Sequence, residues 1–118
     1  REDLGVLWEH YVLNELHGRL QSRAIHYWRD KRGHEVDFVL AERGQPPTAI
    51  ECKWSASEFD AKNLAAFRRA HPKGKNFLVS QDVDRAYTRR FSDQTVEVVS
   101  LPALVDRLIS MKTGDGSD

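Results

Sequence analysis

The chain has one cysteine, one methionine and four prolines among 118 residues, and none of its apolar runs exceeds a few residues. A lone Cys52 excludes an internal disulfide, which fits a reducing compartment and an expected cytoplasmic setting. No run approaches the roughly 20 apolar residues of a membrane span, so no membrane association is expected. A basic segment followed by an apolar one is also missing, so no secretion signal is read. Charge of one sign is absent too: eighteen Lys and Arg residues balance eighteen Asp and Glu. Any basic surface for nucleic acid therefore has to be local. The sequence starts at Arg1 without methionine and is helix-patterned almost at once, so the expectation is a piece of a longer protein. One domain over residues 1–112 is expected, with 113–118, which lacks apolar residues, as a disordered tail.

What is present is an ordinary globular composition, 40% hydrophobic and 31% charged. Leu4, Leu7, Trp8, Tyr11, Val12 and Leu16 recur at helical steps, which predicts an amphipathic helix over 3–17 with Gly18 as its stop. Strands are predicted at 25–29 and 35–41. In the second, Val36, Phe38 and Leu40 face one way and Glu35, Asp37 and Val39 the other. Arg43-Gly-Gln-Pro-Pro47 reads as a turn before a third strand, 48–54. Ser55 and Glu58 have capping-box spacing, Ser57 is a second cap candidate, and a helix with Phe59, Leu64 and Phe67 on its apolar side is expected to end at His71-Pro72. Strands follow at 77–80 and 96–101. Pro102 opens a last helix that buries Leu104, Val105, Leu108 and Ile109. Residues 82–94 are polar and weakly patterned, with at most a helical turn. The order is an α/β class, with helices flanking a hairpin-led mixed sheet.

The chemistry concentrates in Glu35-Val-Asp-Phe-Val-Leu40 and Ala49-Ile-Glu-Cys-Lys-Trp54. Glu51 and Lys53 leave the same strand face, and antiparallel pairing can bring Asp37 beside Glu51. Two adjacent carboxylates are costly unless neutralised, and a hard divalent cation such as Mg²⁺ or Mn²⁺ is the natural partner. The Cys52 backbone carbonyl is a further candidate ligand, and Lys53 can hold a water or stabilise charge on a phosphate. A second acid-x-Lys triplet, Asp60-Ala-Lys62, falls in a predicted helix where such residues do not share a face. The residues alone leave a metal site and a solvated ion pair equally open. On the first helix, Glu9 and Glu15 both compete as a further acid. Cys52 itself reads as a buried strand residue rather than a nucleophile.

Gly5-Val-Leu-Trp-Glu-His-Tyr-Val-Leu-Asn-Glu-Leu16, Tyr27-Trp-Arg-Asp30, Glu35-Val-Asp-Phe-Val39 and Ile50-Glu-Cys-Lys-Trp54 together resemble one family. It is the uncharacterised domain found C-terminal to the ATP-binding module of prokaryotic AAA-type ATPases, which is similar to PD-(D/E)XK nucleases. The resemblance spans about residues 4–110. It implies a core of helix, three-stranded meander, crossover helix and further strand. It also implies metal ligation by Asp37, Glu51 and Glu9, water positioning by Lys53, and an N-terminal ATPase module as partner. One departure is Val36, where the pattern has proline. No Walker A loop is present, so ATP binding would belong to another part of the protein. Nuclease-like hydrolysis of nucleic-acid phosphodiesters is the implied activity, and a catalytically silent docking or regulatory module is the alternative.

Arg29, Lys31 and Arg32 are candidates for nucleic-acid contact, set against a solubilising turn. Lys62, Arg68 and Arg69 are equally ambiguous. His26 and His34 are weak candidates for metal or phosphate. Tyr27 and Trp28 are read as core before base-stacking, and Trp54 as core. Oligomeric state is left open, with a homo-oligomer among the options.

Overall fold

The computed structural model describes residues 2–20 and 24–117. Helix α1 (Glu2–Leu20) leads into strands β1 (Ile25–Arg29), β2 (Glu35–Leu40) and β3 (Thr48–Cys52). A 3₁₀ turn (Ala56–Glu58) and α2 (Lys62–Ala70) follow, then β4 (Asn76–Val79), β5 (Tyr87–Phe91), β6 (Gln94–Val99) and α3 (Leu101–Ser117). The strands form one mixed sheet in the order β1-β2-β3-β4-β6-β5. β1, β2 and β3 are an antiparallel meander, β3, β4 and β6 run parallel, and β5 returns antiparallel to β6. Two cores result. Trp8, Val12, Leu16, Phe77, Leu104 and Leu108 pack α1 and α3 on one face, while Leu64 and Phe67 of α2 cover Val36, Leu78, Val96 and Val98 on the other. Among the described residues no helix is long and apolar enough to cross a membrane.

Several expectations are corrected. α1 continues through Gly18 to Leu20. It buries the row Trp8, Val12, Leu16 and Leu20, spaced four apart, while Leu4, Leu7 and Tyr11 stay exposed. Only this ridge of α1 packs into the core with the sheet and α3, so the apolar residues beside it are left out. The helix expected from Ser55 is interrupted. Ser55 N–H donates to Glu58 at 3.4 Å and opens only the 3₁₀ turn; Asp60 then accepts from Lys62 N–H at 2.9 Å where α2 starts. Residues 82–94 hold the extra strand β5. In α3, Ile109 is 38% exposed. Helix α3 is assigned through Ser117, and Asp118 lies outside the described residues.

The strand phase of β2 is also corrected. Trp28 pairs with Val36 but His26 with Val39, so two steps on β1 face three on β2. The extra residue of this bulge lies in the Asp37–Phe38 stretch. Val36 and Val39 therefore share the face beneath α2, and Phe38 and Leu40 the opposite one.

Arg68 is 3% exposed and is no surface contact. Its Nε donates to Asn76 Oδ1 at 2.8 Å. Its Nη atoms donate to the carbonyls of His71, Lys73, Pro47 and Lys75 at 2.6–3.1 Å. The guanidinium thus ties the end of α2 to the starts of β3 and β4. Burial draws its pKa down to about 10, which leaves it charged at neutral pH. Gly74 sits beneath it at φ +129°, where an added Cβ would collide with the Pro47 carbonyl. Arg68→Ala is expected to cost about 3 kcal/mol in urea unfolding, because several buried acceptors lose their donor at once. Gly74→Ala should cost at least about 1 kcal/mol in the same assay, from strain at that φ.

Candidate functional site

The β2–β3 register pairs Phe38 with Ile50, and continuing it one step brings Asp37 opposite Glu51. There the ladder changes character: Cys52 N–H donates 2.8 Å to Asp37 Oδ2 instead of to a β2 carbonyl. The next amide, Lys53 N–H, turns the other way, to the Val79 carbonyl on β4 at 3.2 Å. A strand residue's N–H and C=O leave on the same side, so the Cys52 carbonyl also faces the β2 edge. Ile50 and Cys52 belong to the core under α1 and α3, so Glu51 and Lys53 stand on the opposite face.

Glu51 is 5% exposed. Burial, followed by the charge of Asp37 beside it, pushes its pKa up to about 9. Burial raises Asp37 as well, though the Cys52 amide and a hydrogen bond with Glu51 oppose the shift. Without a cation the pair therefore retains a proton, best placed on Glu51, which can donate it to Asp37. Lys53 favours the ionised form of both acids. Cys52 is buried, and burial pushes its thiol far from reactivity, in line with its reading as a structural residue.

Glu9 is placed by its neighbour. Trp8 is buried, with its indole Nε1–H donating to the Val79 carbonyl at 3.1 Å and its ring edge-on to Trp54 at 6.0 Å. That seats α1 at the end of β4 and leaves Glu9 half-buried, its pKa raised by burial and then by the charge of Asp37. Glu15 instead lines a cavity of about 310 Å³ between α1 and the start of α3. Among the described residues no three His, Cys, Asp or Glu side chains are grouped closely enough to hold a metal ion. Glu9 thus shares the field of the Asp37–Glu51 pair without closing a three-acid cage around it. The donor set of the pair nonetheless suits Mg²⁺ or Mn²⁺, which one or two carboxylates and several waters can hold.

Of the basic candidates, Arg29 lies 3.5 Å from Glu35 and over the Tyr27 ring at 5.5 Å. Lys31 and Arg32 are exposed in the β1–β2 turn. Asp30 organises that turn, accepting from the Arg32 and His34 amides at 2.9 Å and contacting the His34 ring at 2.8 Å. His26 is exposed, and Trp28 packs on Phe67 at 5.2 Å. Tyr27, read as core, is instead 54% exposed and donates to Glu35 at 2.7 Å. Lys62 and Arg69 remain on the surface of α2. Sequence reasoning missed Glu35, whose charge reaches both Asp37 and Glu9; its position two residues before Asp37 on a strand was the available signal.

Residues 4–104 match the family described as a domain of unknown function, DUF4143. The chain belongs to the DUF4143 family. No curated protein matches it. Its fold is similar to that of a chain in an assembly of Thermococcus gammatolerans McrB AAA+ hexamers with bound McrC. The TM-score is 0.53 at 12% identity, over 81% of this chain and 27% of that one. This DUF4143 domain therefore spans about a quarter of the length of that neighbour, and the likeness establishes the fold.

The buried pair has a measurable consequence. A carboxyl whose folded pKa exceeds its unfolded value supports the fold fully below the unfolded pKa, near 4.5, and loses that support as pH rises towards about 9. Glu51→Gln removes the ionisation. It is expected to stabilise the metal-free domain by about 2 kcal/mol at pH 8 and by little at pH 5, in paired denaturant titrations.

Proposed function

We propose that this DUF4143 domain is a PD-(D/E)XK-like module that hydrolyses nucleic-acid phosphodiesters with Mg²⁺ or Mn²⁺, as the accessory of an AAA-type ATPase. The observation that carries the reading is the Asp37–Glu51 pair, desolvated at a strand end with Lys53 on the same face as Glu51. A carboxylate pair that is costly when ionised and empty-handed is what a hard cation relieves. When bound, the ion supplies Lewis-acid charge and makes water more acidic at neutral pH.

The chain's own residues do the rest. Asp37 and Glu51 would hold the ion, with the Cys52 carbonyl facing the same edge. The Cys52 amide fixes the Asp37 carboxylate in one orientation, so the site is set before substrate arrives. Lys53 carries three donors and a positive charge, which suits it to orient the attacking water and to stabilise charge gathering on the phosphoryl oxygens. Glu9 adds negative potential on the α1 side. The ATPase partnership rests on family resemblance and on the AAA+ setting of the structural neighbour, and the cytoplasmic setting on the single unpaired Cys52.

A second reading keeps the fold and drops the chemistry, leaving a docking or regulatory module of the ATPase. It is favoured by the absence of a three-acid group among the described residues. Thermal unfolding with and without millimolar Mg²⁺ or Mn²⁺ separates the two readings. The first expects a rise of several degrees in wild type that Asp37→Ala abolishes; an unresponsive wild type leaves only the second. Where metal binds, cleavage of labelled DNA and RNA should fall about 100-fold or more in Lys53→Ala.

A further inference from the structure

Three exposed arginines gather at the far edge of the sheet. β5 is an outermost strand, and four of its five residues are exposed. Tyr87 pairs with Val98, Arg89 with Val96 and Phe91 with Gln94. Val96 and Val98 belong to the core beneath α2, so Tyr87, Arg89 and Phe91 stand on that face, and Thr88 and Arg90 on the other. The Arg89 guanidinium lies over the Phe91 ring at 4.6 Å, and Phe91 meets Phe59 edge-on at 4.9 Å. Arg85, just ahead of the strand, is also exposed. Among the described residues none of these three arginines has a carboxylate partner. Of the nearby acids, Asp84 and Asp93 flank the patch, Glu97 opposite Thr88 is engaged by Arg107, and Asp82 accepts from the Ala56 amide at 3.1 Å.

Register ties this edge to the candidate site. Glu51 pairs with Leu78, Leu78 with Val98, and Val98 with Tyr87. Tyr87 thus lies on the same face as Glu51, three strand spacings or about 14 Å away, with Leu78 and Val98 buried beneath α2 between them.

We infer that β5 docks an unpaired strand of nucleic acid, with Arg85, Arg89 and Arg90 on phosphates and Tyr87 stacked on a base. Unpartnered guanidinium groups alternating with aromatic rings suit that ligand, because stacking reads any base and cations track the backbone. An exposed ring on a sheet edge can be used only by a base free of its own stack, which favours single strands over duplex. The bland account is an edge strand charged to prevent pairing with other chains; it expects no binding. The inference deepens the phosphodiester reading of Asp37 and Glu51 by naming its substrate as single-stranded.

The test is fluorescence anisotropy of a labelled oligothymidine, with a duplex of equal length as control, in EDTA so that no cleavage occurs. Wild type should bind the single strand more tightly than the duplex. Arg89→Ala/Arg90→Ala should weaken binding at least tenfold at low salt and flatten the log K against log salt slope by about 1.4, at 0.7 per phosphate. Tyr87→Ala should weaken binding about tenfold, whereas Arg89→Lys/Arg90→Lys should keep most of it. Unchanged denaturant midpoints would exclude misfolding as the cause. The inference is overturned by no single-strand binding, by a duplex preference, by variants that bind like wild type, or by a wild-type dimer in sedimentation that the arginine variants dissolve. Failure of metal binding or cleavage would sink the catalytic reading and leave this result standing.

Discussion

A single buried guanidinium sets the alignment on which the domain depends. Arg68 leaves water without a carboxylate to meet it, and instead spends its donors on four carbonyls and one amide oxygen. Those acceptors lie just before β3, in the turn after α2 and at the start of β4. Parallel strands lack a hairpin to fix their register, so something outside the ladder has to do it. With β3 and β4 aligned at their starts, their far ends are aligned too, and Glu51 falls level with Leu78.

At that far end the sheet gives up stability. Asp37 intrudes on the ladder to take the Cys52 amide, and Glu51 is buried next to it. Neither feature improves the packing of a sheet. Together they concentrate negative charge where only a proton or a cation can relieve it. The bulge in β2 assists, since an extra residue re-aims the side chain it carries. Trp8 contributes from the opposite core, because its hydrogen bond to Val79 helps seat α1 where Glu9 feels the charge of Asp37. The stabilising contact and the costly one are thus joined by the same strands.

How much of this was legible depended on burial. The central strand β4 carries an apolar run and the inner ridge of α1 a four-residue apolar period, because burial constrains both. β5 carries none: an edge strand exposed on both faces has no inward side to mark. Its turn also hides, since Ser92 takes φ 57° at a two-residue hairpin where Asn or Gly would have been the usual signal. Arg68 was indistinguishable from Arg69 in the sequence. One is fully enclosed and the other exposed, and that difference comes from contacts with residues up to 21 positions away.

By itself, then, the sequence determined the α/β class, most element positions, and the shared face of Glu51 and Lys53, because period-2 and period-3.6 patterns are local. Only the tertiary structure decided that Asp37 meets Glu51, that Glu9 feels the charge of Asp37 while Glu15 lines a cavity elsewhere, and that residues 87–91 close the sheet as an edge strand. Each of those depends on register, on a one-residue bulge or on the rotation of a helix. Such quantities are set by packing between distant segments, and no neighbouring residue records them.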